Sequence, residues 1–293
     1  MIVDSHQHFW NLSRADYGWL TPAAGGLYRD FLPDDLAPLL QAGNIDATVL
    51  VQAAPSEAET RYLFQLAQCH SFVAAVVGWV DFEAADVEQR IAALRVDGSG
   101  KLRGLRPMIQ DLSDPNWIRQ SKLDAAFEAM IAHDLVFDAL VRPVHLDALR
   151  ARLQRHPGLQ AVLDHAGKPD ISHNGFAEWA DGIARLAGDT AAYCKLSGLL
   201  TEAGTRNSCT DIAPYVEHIF RCFGAERVLW GSDWPVLTQA GDYAQWLALA
   251  RDLVERFGED RKDRVFGATA TRLYNLESTQ NAYGDTTRAE SAC

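Results

Sequence analysis

The run IVDSHQHFW near the start of the chain carries Asp4, His6 and His8 at alternate positions. In an extended strand alternate side chains share a face, so the spacing predicts that these three point the same way. A buried strand face tolerates a carboxylate and two imidazoles only where something satisfies them. Further polar groups stand at the ends of later apolar runs: Arg106 in LRGLRPM, Asp164, His165 and Lys168 in LDHAGKP, and Asp233 in WGSDWP. His6, His8, His165 and Asp233 together offer three imidazoles and one carboxylate, a donor set suited to one zinc or similar divalent ion. Each residue also has a plainer reading. An HxH pair arises by chance, His165 suits a core or helix-capping histidine, and Asp233 suits an N-cap.

Asp233 is placed to take a proton from an attacking water and return it to a leaving oxygen. With His165 it forms the expected catalytic pair, and Asp4 is expected to support the ligands. Arg106 is read either as a substrate or oxyanion contact or as an interior ion pair. Lys168 and Lys195 are weaker candidates. The connection 9–32 is long and aromatic, and long loops in compact domains are often functional. Its Trp10, Trp19 and Tyr28 are expected to line a sugar-binding pocket, because indole and phenol rings pack on the apolar faces of pyranoses. Arg14, Arg61, Arg103, Arg106 and Arg142 form no evident cluster beyond Arg103 and Arg106, so a neutral ligand fits better than a dicarboxylate.

These residues must be brought together across more than 200 positions of chain. Strands are predicted over 2–8, 46–52, 72–79, 102–108, 135–141, 159–165, 191–197 and 227–233. Between them lie helix-like stretches, such as 121–133 with its stripe Leu123, Ala126, Phe127, Met130 and Ile131. Alternating strands and helices imply a parallel sheet, and eight such units in 293 residues suit a distorted TIM (β/α)8 barrel. Barrel enzymes carry their chemistry at the C-terminal strand ends, where the polar groups fall. Residues 1–276 are expected to form one domain, followed by a polar tail over 277–293.

A net charge of −12 disfavours nucleic acid and anionic membranes, and no apolar segment is long enough to span a bilayer. The five cysteines form no CxxC pair, and their odd number argues against a full disulfide framework. A cytoplasmic protein without a leader is expected, with its oligomeric state open. GSGKLRG lacks the spacing of a phosphate loop, and neither Ser197 nor Ser232 stands in a GxSxG elbow.

The stretches DSHQHFW, DYGWL, LRGLRP, DHAGKP, KLSGL, GSDWP and ATRLYNL run from residue 4 to residue 276. In these the chain resembles the amidohydrolase superfamily, in its amidohydrolase-2 branch that contains sugar-lactone hydrolases. The resemblance implies a distorted eight-stranded barrel that opens a cyclic ester such as L-fuconolactone to the free sugar acid. It also implies metal ligands at His6, His8, His165 and Asp233. The fourth strand carries arginines where binuclear relatives have a bridging lysine or glutamate, so one ion is expected rather than two. The alternatives are a hydrolase of carboxylate-bearing lactones, a decarboxylase on the same barrel, and a non-catalytic barrel that binds a sugar acid.

Overall fold

Most of the predicted strand cores are short runs rich in Val, Leu and Ala, and the strands they form are largely buried on both faces. In the computed structural model, which describes residues 1–276, they are β1 (Val3–Gln7), β2 (Ala47–Val51), β3 (Val73–Gly78), β4 (Leu102–Leu105), β5 (Val136–Ala139), β6 (Ala161–Leu163), β7 (Tyr193–Leu196) and β8 (Val228–Trp230). Every one lies inside its predicted range. All pairings are parallel and follow chain order from β1 to β8. The tail expected at 277–293 lies outside the described residues.

Among the described residues ten α-helices accompany the strands: α1 (Pro33–Gly43), α2 (Glu57–Cys69), α3 (Val87–Asp97), α4 (Asp124–Ala132), α5 (Leu146–Arg155), α6 (Phe176–Asp189), α7 (Leu199–Ala203), α8 (Cys209–Phe223), α9 (Tyr243–Glu255) and α10 (Thr269–Leu273). Helix α6 shows why they pack as they do. Trp179, Ile183, Leu186 and Ala187 recur at helical spacing and are buried, and the helix packs between α5 and α8. Inside the barrel a separate apolar cluster includes Val3, Val49, Val77, Val162 and Leu229, and Leu273 and Tyr274 pack into it. None of the described helices is long and apolar enough to cross a membrane.

The ladder between β1 and β8 is completed beyond the end of β8, by the GSDW segment. Asp233 N donates to His6 O at 2.8 Å, and His8 N donates to Trp234 O at 2.8 Å. The seam that closes the barrel therefore joins the HQH run to Asp233. Asp4 clamps it from the side: its Oδ1 accepts from Ser232 N at 2.8 Å, and its Oδ2 accepts from Tyr243 OH of α9 at 2.9 Å.

One expectation is corrected here. Asp4 does not share a face with His6 and His8. The register shifts between Asp4 and Gln7, and one extra residue in a strand reverses the side of everything after it. His6 consequently meets Lys195 and Asp164 of the lumen, while Asp4 meets α9 outside the sheet. Removing the Tyr243 hydroxyl leaves a buried Asp4 oxygen short of a donor. Tyr243→Phe is expected to cost about 1–3 kcal/mol in urea unfolding, and an unchanged midpoint would show that the seam does not depend on this clamp.

Candidate active site

His8 is fixed by a bond that also assigns its proton. Its Nδ1 lies 2.7 Å from the carbonyl oxygen of Val51, which can only accept, so Nδ1 carries the hydrogen. Its Nε2 stands 3.4 Å from Asp233 Oδ1 and 3.2 Å from His6 Nε2. His6 Nε2 and His165 Nε2 each lie 3.8 Å from the same carboxylate oxygen. His6, His165 and Asp233 form a buried cluster whose ligating atoms all lie within 4.8 Å of one another.

Burial pushes His165 down to about 4, against the attraction of Asp233 and Asp164. Burial and then the charge of Lys195 hold His6 well below its ordinary value. Both imidazoles are thus neutral near pH 7, the form that ligates metal. Burial raises the Asp233 carboxyl, but the surrounding His165, His8 and His6 outweigh it and hold it well below the usual range. Three imidazole Nε2 atoms thus converge within 3.8 Å of one ionised carboxylate oxygen, and such a cluster needs one partner at its centre. A divalent cation fits that need, and the buried N/N/N/O set suits zinc.

The strands stop short of two of these residues. β6 ends at Leu163 and β8 at Trp230, and both His165 (φ 51°) and Asp233 (φ 59°) adopt left-handed backbone. Ala166 and Lys168 do the same, in a region that costs non-glycine residues roughly 1–2 kcal/mol each. Two indoles brace these turns. Trp179 of α6 donates to Ala166 O at 2.7 Å, and Trp246 of α9 donates to Gly231 O at 2.9 Å. His165 Nδ1 lies 2.9 Å from Ser197 Oγ, and the adjacent Gly198 (φ 66°) leaves room for the ring.

Beneath the ligands lies a charged lumen. Asp164 is flanked by Lys195 Nζ at 3.0 Å, His6 Nδ1 at 3.4 Å and Arg106 Nη1 at 3.5 Å. Lys195 also donates to Asp138 Oδ2 at 2.5 Å, which accepts from Tyr274 OH at 2.8 Å. Burial raises the Asp164 carboxyl, but Lys195, His6 and Arg106 overcome it and keep it ionised. Asp138 carried no motif, and Lys195 stood only as a weak candidate. Their signal was a single charged residue inside each of the apolar runs LVFDALV and AAYCKLS.

A cavity of about 260 Å³ opens over the ligands, lined among others by His8, His165, Asp233, Arg106, Lys168, Trp10 and Trp19. Arg106 joins both of its expected environments. It pairs with Asp164, bonds Gln52 O and borders the cavity, with Nη1 3.4 Å from His6 Nε2. Lys168 lines the cavity and pairs with Glu202 at 3.2 Å. Of the five arginines considered from sequence, Arg106 alone lines it. Tyr28 is not brought there. Leu27 takes the inward position of that turn, and Tyr28 is 43% exposed. His145, which follows β5, accepts from Arg142 N at 3.0 Å at the start of α5 and does not line the cavity.

The aromatic connection 9–32 is strapped down on both sides. Trp10 and Phe31 exchange backbone hydrogen bonds at 3.0 Å, and Phe31 packs edge-on to Trp234 of the seam. Trp19 Nε1 donates to Ala53 O at 2.8 Å, and Tyr17 OH donates to the buried Glu59 of α2 at 2.9 Å.

The model of the amidohydrolase family matches residues 3–276. The chain belongs to the amidohydrolase family. An L-fucono-1,5-lactonase of Burkholderia ambifaria is 46% identical over 279 residues, covering 94% of this chain and 96% of that one. A second L-fucono-1,5-lactonase, from Burkholderia multivorans, is 38% identical over 301 residues, covering 96% and 98%. A crystal structure of a Burkholderia multivorans amidohydrolase with bound zinc superposes with a TM-score of 0.89 at 36% identity, covering 94% of this amidohydrolase and all of that chain.

Two outcomes follow. A Cβ at Gly198 would lie 2.7–2.8 Å from His165 Cβ, Cγ and Nδ1. Gly198→Ala is therefore expected to keep the barrel but displace His165, lowering zinc bound per chain in a metal titration. Unchanged zinc affinity would refute this. Separately, burial pushes the Glu59 carboxyl up from 4.5 to about 7, against Tyr17, the Ala53 N–H and Arg14. The fold favours the protonated form, so Glu59's contribution is full below 4.5 and is lost as pH rises through about 7. Urea unfolding of Glu59→Gln between about pH 5 and about pH 8 should show a flatter pH dependence than the parent.

Proposed function

We propose that this amidohydrolase opens a neutral sugar-derived lactone to its aldonic acid, with L-fucono-1,5-lactone the first substrate to test. The observation that carries the reading is the ionised Asp233 carboxylate set among the Nε2 atoms of three imidazoles at the floor of a small cavity. The names of the two relatives support the substrate class, and so does Arg106 being the one cavity-lining arginine among those considered. The catalytic unit on this reading is the domain of residues 1–276.

His6, His8, His165 and Asp233 would hold one divalent ion, zinc by analogy with the zinc-bound relative. When bound, it supplies Lewis acidity toward the ester carbonyl and lowers the pKa of water. Asp233 orients a water against the carbonyl carbon and accepts its proton as the new C–O bond forms. The ring C–O bond then breaks, and the departing ring oxygen takes that proton and leaves as the hydroxyl of the open acid. Arg106 faces the negative charge that develops on the carbonyl oxygen, where a preorganised cation acts most strongly. Lys168 and the rings of Trp10 and Trp19 hold the hydroxyls and the C–H face of the sugar. Through this reaction the chain would serve the breakdown of L-fucose-type sugars.

A panel of aldonolactones followed with a pH indicator tests the reading. Turnover of L-fucono-1,5-lactone, lost with a chelator and restored by zinc, is the expected result. Asp233→Asn should remain folded and lose at least about a hundredfold in kcat. No turnover of any lactone would overturn the proposal.

A further inference from the structure

A second cavity adjoins the first. Its volume is about 610 Å³, against about 260 Å³ for the cavity over the ligands. Trp19, Met108 and Asp111 line both, so the two share a wall. The second holds none of His6, His8, His165, Asp233 or Arg106, and of the residues that grip the substrate only Trp19 borders it. It is built on the same barrel face, from the connections that follow β1, β2, β3 and β4.

Its lining pairs two kinds of group. Trp19, Trp79, Phe82 and Trp117 give broad apolar faces, and Asp16, Asp81, Glu83 and Asp111 give carboxylates, with no lysine or arginine among the lining residues. The walls are held in place. Trp117 Nε1 donates to Glu83 Oε1 at 2.5 Å, Lys122 Nζ donates to Glu83 Oε2 at 2.6 Å, and Glu83 N donates to Asp81 Oδ1 at 2.9 Å.

Ligand cavities for small molecules run from roughly 300 to 1,000 Å³. The second cavity, at about 610 Å³, falls within this range and has room for a further sugar ring. Indole faces beside hydroxyl-accepting carboxylates match a pyranose, which shows C–H bonds on its faces and O–H donors on its rim. An anionic group would be repelled by these carboxylates.

We infer that the second cavity is a glycosyl subsite, which takes a neutral sugar unit attached to the lactone ring, so that glycosylated aldonolactones are substrates. This rests on the lactone reading of the site above.

The test compares L-fucono-1,5-lactone with the same lactone carrying a hexosyl unit on O2, O3 or O4, made by oxidising disaccharides with fucose at the reducing end. At least one isomer is expected to match or exceed the bare lactone in kcat/KM. Trp117→Ala should lower that isomer's kcat/KM about tenfold, mainly through KM, and leave the bare lactone within about twofold. Leu112→Trp changes a half-exposed residue that lines the second cavity alone, and it should block the isomer while sparing the bare lactone. Turnover of the bare lactone with none of the isomers, or equal losses on both substrates in both variants, would overturn the subsite and leave the lactone reading standing. Failure on the bare lactone itself would overturn that reading and the subsite with it.

Discussion

The site depends on how the barrel closes. A parallel sheet of eight strands must bring its last strand back to its first, and here the join is made by the residues that do the chemistry. The backbone of Asp233 bonds to His6, and that of Trp234 bonds to His8. Closing the sheet and assembling the ligand set are thus one event. The buried Asp4 carboxylate secures it, taking a backbone donor from Ser232 and the hydroxyl of Tyr243. The register shift within β1 makes this possible, since it sends Asp4 to the helix layer and His6 to the lumen.

The lumen beneath the ligands imposes a second constraint. Two carboxylates, Asp138 and Asp164, are balanced by Lys195 and Arg106, and His6 Nδ1 touches both Lys195 and Asp164. Buried charges are tolerated only as a paired set, and removing one member strands the others at a cost of several kcal/mol. His6 is therefore held on its Nδ1 side by a network that reaches through Asp138 to Tyr274. Tyr274 stands at the far end of the described chain, so the ATRLYNL segment plugs the barrel and also completes the polar chain under the ligands.

The left-handed turns at His165 and Asp233 show where the barrel stores strain. Regular strand would carry these side chains along the sheet; the turns instead aim them across the mouth at each other. The helix layer opposes the strain through the indole hydrogen bonds of Trp179 and Trp246, which satisfy carbonyls within or beside the turns.

The eight strands, the barrel class, and the grouping of His6, His8, His165 and Asp233 were legible in the sequence. Each is a local signal: apolar runs at regular spacing, interrupted by polar residues at their ends. Trp10, Trp19, Arg106 and Lys168 were also legible as residues near the mouth. Tyr28 was not distinguishable from them, because its direction depends on how the loop folds back and on Leu27 taking the inward position. Asp4 was misplaced because alternation assumes an unbroken register, and the shift within β1 becomes visible only when β1 is paired with β2. Asp138 and Lys195 read as isolated charges, since their partners lie on strands far apart in sequence. The sequence by itself determined which residues can ligate, titrate or pack. Only the tertiary structure decided which of them meet, because strand register, barrel closure and the enclosure of a cavity arise from pairings between segments distant along the chain.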